Sequence, residues 1–199
     1  MTEAEPLDLA ALVHLTPVQA LQALQDRSDD SATADVDVRV LGGTVYASDY
    51  EQGFSLQLVP AHGAPPPPRH ITAWDELQLK DLKLDAVDIY GERKAQTAGR
   101  SKQSQFSPYS RAMLRPRKDL NEDQTAARSN VTLETTGRQL VNSLGEPSRK
   151  GGGSRVPVWL EWANQGHCCG IHIELNATGP QAWDEGADAT WACITVFRE

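Results

Sequence analysis

Apolar residues recur at helical spacing in two places. Leu21 and Leu24 follow Thr16-Pro17, and Leu140, Val141 and Leu144 follow Thr136-Gly137. Each threonine suits an N-cap, because its hydroxyl can accept from a free amide of the first turn. Pro17 suits the first helical position, and Gly145 followed by Pro147 ends the second helix. Elsewhere the period is two. Alternation places Phe54, Leu56 and Leu58 on one face of a strand, and Ile171, Ile173 and Leu175 on one face of another. An aromatic strand precedes each, Val45 to Tyr50 and Val158 to Trp162, and closing strands are predicted at Val87 to Glu92 and Ile194 to Glu199.

These signals come in the same order in both ends of the chain. The tetrapeptide Ala-Trp-Asp-Glu occurs at Ala73 to Glu76 and again at Ala182 to Glu185, each time between the glycine-started strand and the closing strand. Recurrence in one order points to duplication. The expected fold class is α+β, with two tandem helix-then-antiparallel-strand repeats packing into one pseudo-symmetric domain. Residues 1–92 form the first repeat, 93–130 a basic flexible linker and 131–199 the second repeat. Within the first, Asp26 to Asp35 and the run His62 to Arg69, with its four consecutive prolines, read as loops. Three strands with one apolar face do not hold alone, so the two sheets are expected to pair or pack.

The net charge of -8 opposes simple nucleic-acid binding, but charge is unevenly placed. The stretch 93–130 carries nine Lys or Arg against three Asp or Glu, which makes it locally cationic. The opening Met-Thr-Glu-Ala-Glu-Pro has neither a basic region nor an apolar run, and no window approaches the ~20 apolar residues of a membrane-spanning helix. Three cysteines, two of them adjacent, make no disulfide framework. The expectation is a cytoplasmic protein with no integral membrane segment and no cofactor.

The run Leu144-Gly145-Glu146-Pro147, a glycine-rich loop, an aromatic strand and then Gly170-Ile171-His172-Ile173 resembles small helix-plus-sheet modules. These are the SmpA type of outer-membrane assembly lipoprotein and the tandem β-lactamase inhibitor protein fold. Over residues 15–92 and 134–199 the duplicated chain is also similar to the phagosome assembly factor family. The resemblance implies binding or scaffolding, with no catalytic residues to carry over. The phagosome-factor likeness would imply a cytosolic adaptor in trafficking or autophagy.

Candidate chemistry is sparse. His167-Cys168-Cys169-Gly170-Ile171-His172 offers soft metal ligands, but on a strand Cys169 shares the core face with Ile171, whereas Cys168, His172 and Glu174 point the other way. Ligands about 13 Å apart cannot meet on one zinc ion, so no metal site is assigned. A cysteine nucleophile is opposed by the same geometry. Lys150-Gly151-Gly152-Gly153 follows a helix C-terminus, whereas phosphate loops precede an N-terminus, so Arg149 and Lys150 are read as partners for helix carbonyls. Trp74 and Trp183 are read as indoles packed on the sheet, locking the acidic loops. The leading functional candidate is the basic stretch, where Tyr109, Arg111, Met113, Leu114, Arg115, Arg117 and Lys118 set cations beside apolar anchors. It could hold a protein partner or an anionic membrane surface, with Ser107-Pro108 as a phosphorylation point. The function expected is a non-catalytic intracellular adaptor or scaffold. The alternative is an enzyme or small-ligand protein using a cleft between the repeats, with Cys168, His172 and Glu174 in it.

Overall fold

Alternating apolar residues drive most of the chain into strands that share one apolar face. The computed structural model describes residues 7–25, 36–92, 106–109, 111–113, 131–163 and 169–199. In chain order the elements are β1 (Leu7–Asp8), α1 (Leu9–Leu12), α2 (Pro17–Gln25), β2 (Asp37–Leu41), β3 (Thr44–Asp49), β4 (Phe54–Pro60) and β5 (Leu82–Tyr90). There follow β6 (Ala112–Met113), α3 (Gly137–Leu144), β7 (Arg149–Gly151), β8 (Trp159–Trp162), β9 (Cys169–Leu175), α4 (Ala182–Glu185) and β10 (Trp191–Arg198). Eight strands make one antiparallel sheet in the order β2-β3-β4-β5-β10-β9-β8-β7, while β1 and β6 form a separate parallel pair.

This arrangement corrects the expected fold class. The described chain does not form two tandem helix-then-strand repeats; it is mainly a single continuous sheet with a few short helices, the longest of nine residues. The physical reason lies at the middle of the sheet. The closing strands β5 and β10 are hydrogen-bonded neighbours, with Val87 opposite Val196 and Ile89 opposite Ile194. Edge-to-edge pairing satisfies the backbone groups that two separate sheets would each have left exposed, and it merges the apolar faces into one.

One face of the sheet is core. Phe54, Leu56, Leu58, Leu84, Val87, Ile89, Ile171, Ile173, Ile194 and Val196 are buried in a single cluster with Leu21 and Leu24 of α2 and Leu140 and Leu144 of α3. α2 lies against β4 and β5. Both helices start as their sequences predict. Thr136 and Gln139 form a reciprocal capping box at α3, and Thr16 and Gln19 make the same bonds ahead of α2. Trp162 in β8 donates from Nε1 to the Gly145 carbonyl at 2.9 Å, tying the end of α3 to the sheet.

The described part of the expected linker belongs to this body. Phe106 stacks on Tyr90 with ring centroids 3.8 Å apart, whereas Tyr109 meets Phe54 edge-on at 6.3 Å and donates its hydroxyl to the Leu24 carbonyl. Between them the chain crosses the end of β4 at Gly53. That glycine has φ +79, and a Cβ on it would stand 1.9 Å from the Ser107 carbonyl oxygen. Only glycine lets the two backbones pass so closely.

Candidate functional site

Residues directly opposite one another in an antiparallel ladder point to the same face. Following the register from strand to strand therefore shows what the other face of the sheet carries. Asp37 is opposite Ser48, Ser48 opposite Ser55, Ser55 opposite Asp88, and Asp88 opposite Thr195. Thr195 is then opposite His172, His172 opposite Glu161, and Glu161 opposite Arg149. A single row of polar residues crosses all eight strands.

The row is internally bonded. The Ser48 and Ser55 hydroxyls lie 3.0 Å apart. Thr195 donates its hydroxyl to one Asp88 oxygen at 2.7 Å, and the Gln57 amide donates to the other at 2.8 Å. Glu161 accepts from Arg149 at 3.1 Å and lies 3.5 Å from His172 Nδ1. At the β2 end, Arg39 pairs with Asp37 at 2.7 Å and Tyr50 donates to the same carboxylate. Burial pushes the Asp88 carboxyl above the usual carboxylate range; the bonds from Thr195 and Gln57 oppose that, and the Glu174 charge adds to it. Burial and then Asp37 likewise raise the Tyr50 phenol.

Aromatic rings flank the row. Trp159 stacks on His172, with centroids 5.2 Å apart and planes 26° from parallel, and the Arg149 guanidinium sits 5.9 Å from the Trp159 ring. Phe197 lies over Gly170, and Tyr46 stands opposite Gln57. Tyr46, Trp159 and Phe197 are all half-buried, as are His172 and Glu174.

Two of the predicted cleft residues, His172 and Glu174, are thus brought to one face, two residues apart on β9, with Cys169 buried on the opposite, core side. Cys168 and His167 lie outside the described residues. Of the predicted partner-binding set, Tyr109 is buried as a core anchor, Arg111 is half-buried with its carbonyl accepting from Leu7, and Met113 pairs with Asp8 in the small parallel ladder. Leu114, Arg115, Arg117 and Lys118 lie outside the described residues. Arg149 and Lys150 bond carboxylates, Glu161 and Glu146, rather than helix carbonyls. Trp74 is buried as expected, but Trp183 is 49% exposed.

The sequence reading missed Gln57, Asp88, Trp159, Glu161 and Thr195. A signal was present: Val87-Asp88-Ile89, Ile171-His172-Ile173 and Ile194-Thr195-Val196 each set one polar residue between two apolar ones in mid-strand.

What this face can do follows from where it sits. In the interior of a regular sheet the amides are committed to the ladder, so none is free to stabilise an oxyanion. The Thr195 hydroxyl donates a hydrogen bond to Asp88 and His172 lies beside Glu161, so among the described residues of this row the hydroxyl and the imidazole are each turned to a carboxylate and not to each other. Among the described residues no three or more His, Cys, Asp or Glu side chains gather as a metal site, and no helix is long and apolar enough to cross a membrane. Comparison with protein-family models, curated proteins and solved structures finds no significant match.

Proposed function

We propose that this is a non-catalytic binding protein, an adaptor or scaffold, which presents the polar face of its sheet to a protein partner. The observation that carries the reading is the bonded polar row across eight strands, flanked by half-buried Tyr46, Trp159 and Phe197. Half-exposed aromatic rings beside satisfied polar groups are the composition of interface centres. Ser48 and Ser55 are buried, and Phe106 stacks on Tyr90 at that end, so the surface presented is the part around Tyr46, Gln57, Phe197, His172, Glu174 and Trp159. The absence of free backbone amides at the row favours binding over catalysis.

In this reading the protein works in the cytoplasm, and the cationic stretch 93–130 supplies a second contact, to the same partner or to an anionic membrane surface. A setting in trafficking or autophagy follows from the family resemblance alone.

The test is affinity capture from the source cell, read by mass spectrometry, with the intact chain and with a Tyr46→Ala/Glu174→Lys variant whose melting temperature matches it. A stoichiometric partner held by the intact chain and lost by the variant is expected. A third form, with Leu114, Arg115, Arg117 and Lys118 all changed to Ser, reports on the basic stretch. If only that form loses the partner, the contact lies there and the sheet-face reading fails. If the intact chain retains no partner, the adaptor reading fails as a whole.

A further inference from the structure

The two copies of Ala-Trp-Asp-Glu end up in different surroundings. Trp74 is buried at 4%, while Trp183, the second residue of α4, is 49% exposed. Val156, also exposed, sits in the turn beside it: the Gly153 amide donates to the Val156 carbonyl, and Gly153 lies beneath the Trp183 indole, 3.1 Å from its Nε1 to where a Cβ would stand. An exposed indole backed by a glycine turn marks the mouth of a groove of about 350 Å³ on the helix-bearing face, between α3, β8, β9 and α4.

The groove is built rather than incidental. Its floor is Val141, Val158, Leu160 and Leu175. Two of its lining residues are glycines that pass closely: a Cβ on Gly137 would meet the Gly186 carbonyl at 2.5 Å and Leu175 Cδ1 at 2.9 Å. Arg138 in the first turn of α3 and Lys150 beyond its last turn place one cation toward each end of a helix that is ~12 Å long. Among the described residues each is paired with one exposed carboxylate, Asp188 at 3.2 Å and Glu146 at 3.5 Å. Such exposed pairs are weak and are readily exchanged for a ligand anion.

We infer that this groove is a small-molecule site for a planar apolar anion, an aromatic carboxylate or sulfonate. The ring system would stack on Trp183 over the aliphatic floor while the anionic group meets Arg138 or Lys150. The volume lies at the lower end of small-ligand pockets, ~300–1,000 Å³, which favours a small molecule over a protein segment. Arg138 and Lys150 are held by the weak exposed pairs with Asp188 and Glu146, and an anion that replaces those carboxylates meets both cations, against the chain's overall charge of -8. This site is separate from the polar face and on the opposite side of the sheet.

The test uses the full chain with 8-anilinonaphthalene-1-sulfonate and, as the uncharged counterpart, N-phenyl-1-naphthylamine, both followed by fluorescence. Saturable binding of one sulfonate per chain is expected, with energy transfer from tryptophan. Trp183→Ala should weaken it about three- to tenfold, the value of one ring contact. Arg138→Gln/Lys150→Gln should weaken the sulfonate but not the neutral probe, and Val141→Phe, which fills the groove, should abolish both at unchanged melting temperature. Tyr46→Ala/Glu174→Lys should leave binding unaltered, which separates this result from that of the polar face. Unchanged affinity in Trp183→Ala and Val141→Phe, equal affinity for both probes, or unsaturable uptake, the mark of an extended protein-docking stripe, overturns the proposal.

Discussion

Substituting Gly170 by alanine isolates one packing contact. Gly170 in β9 is opposite Phe197 in β10, and a Cβ on the glycine would stand 2.2 Å from the Phe197 ring. Its φ lies outside the left-handed region, so alanine meets no backbone objection. Relief from a mid-strand glycine should by itself stabilise by ~0.5–1 kcal/mol. Against this, the ring must leave its position. Loss of packing for a half-buried phenylalanine and a forced rotamer cost ~1–2 kcal/mol together. The net expectation is a destabilisation of ~1 kcal/mol, a downward shift of ~2–4 °C for a chain of this size. With the ring removed by Phe197→Ala the objection vanishes, so Gly170→Ala in that background should stabilise by ~0.5–1 kcal/mol. Urea melts of the four proteins give the coupling, expected at ~1.5–2 kcal/mol. If Gly170→Ala costs the same with and without the ring, the contact is not what keeps glycine at this position.

Asp88 should set a pH dependence of definite sign. Its folded value is raised above 3.8, so the folded state binds the proton more tightly than the unfolded one. Stability from this group is therefore greatest at low pH and falls as pH rises from 3.8 through the folded value. Asp88→Asn keeps an acceptor for Thr195 but loses the one for Gln57. In urea melts from pH 3.5 to 7 its stability relative to the parent should improve as pH rises, and a difference that moves the other way rules out burial as the dominant cause. Thr136→Ala removes the side-chain oxygen that accepts from the Gln139 amide at the head of α3, and should cost ~1 kcal/mol in the same assay. A loss within measurement error would mean that the helix start is held by its packing under Gly186 instead.

Local structure was legible where one short stretch of sequence determines it. The two threonine caps, the alternation in β4 and β9 and the opposed sides of Cys169 and His172 depend on neighbours within four residues. Assembly was not legible, because it depends on which strand edges meet. The same alternating β5 and β10 could have closed two sheets or joined one, and only their register, with Thr195 opposite Asp88, distinguishes the outcomes. Trp183 failed for a related reason. Its tetrapeptide is identical to that of Trp74, but one copy forms a 3-10 turn over the core and the other a helical turn beside an open groove. Burial is a property of what lies across from a residue.

The polar row also bears on how a partner would bind. Isolated polar groups in mid-sheet would cost stability if left unsatisfied. Here they are linked to one another: Ser48 with Ser55, Asp88 with Thr195 and Gln57, Glu161 with Arg149. Side chains so held have little rotational freedom left to lose. A partner docking on this face would therefore pay less than the ~0.5–1.5 kcal/mol that each freely rotating side chain otherwise costs on immobilisation. Rigid strands, bonded polar groups and rings fixed over glycine make the face preorganised, so affinity should depend on matching its pattern more than on ordering it.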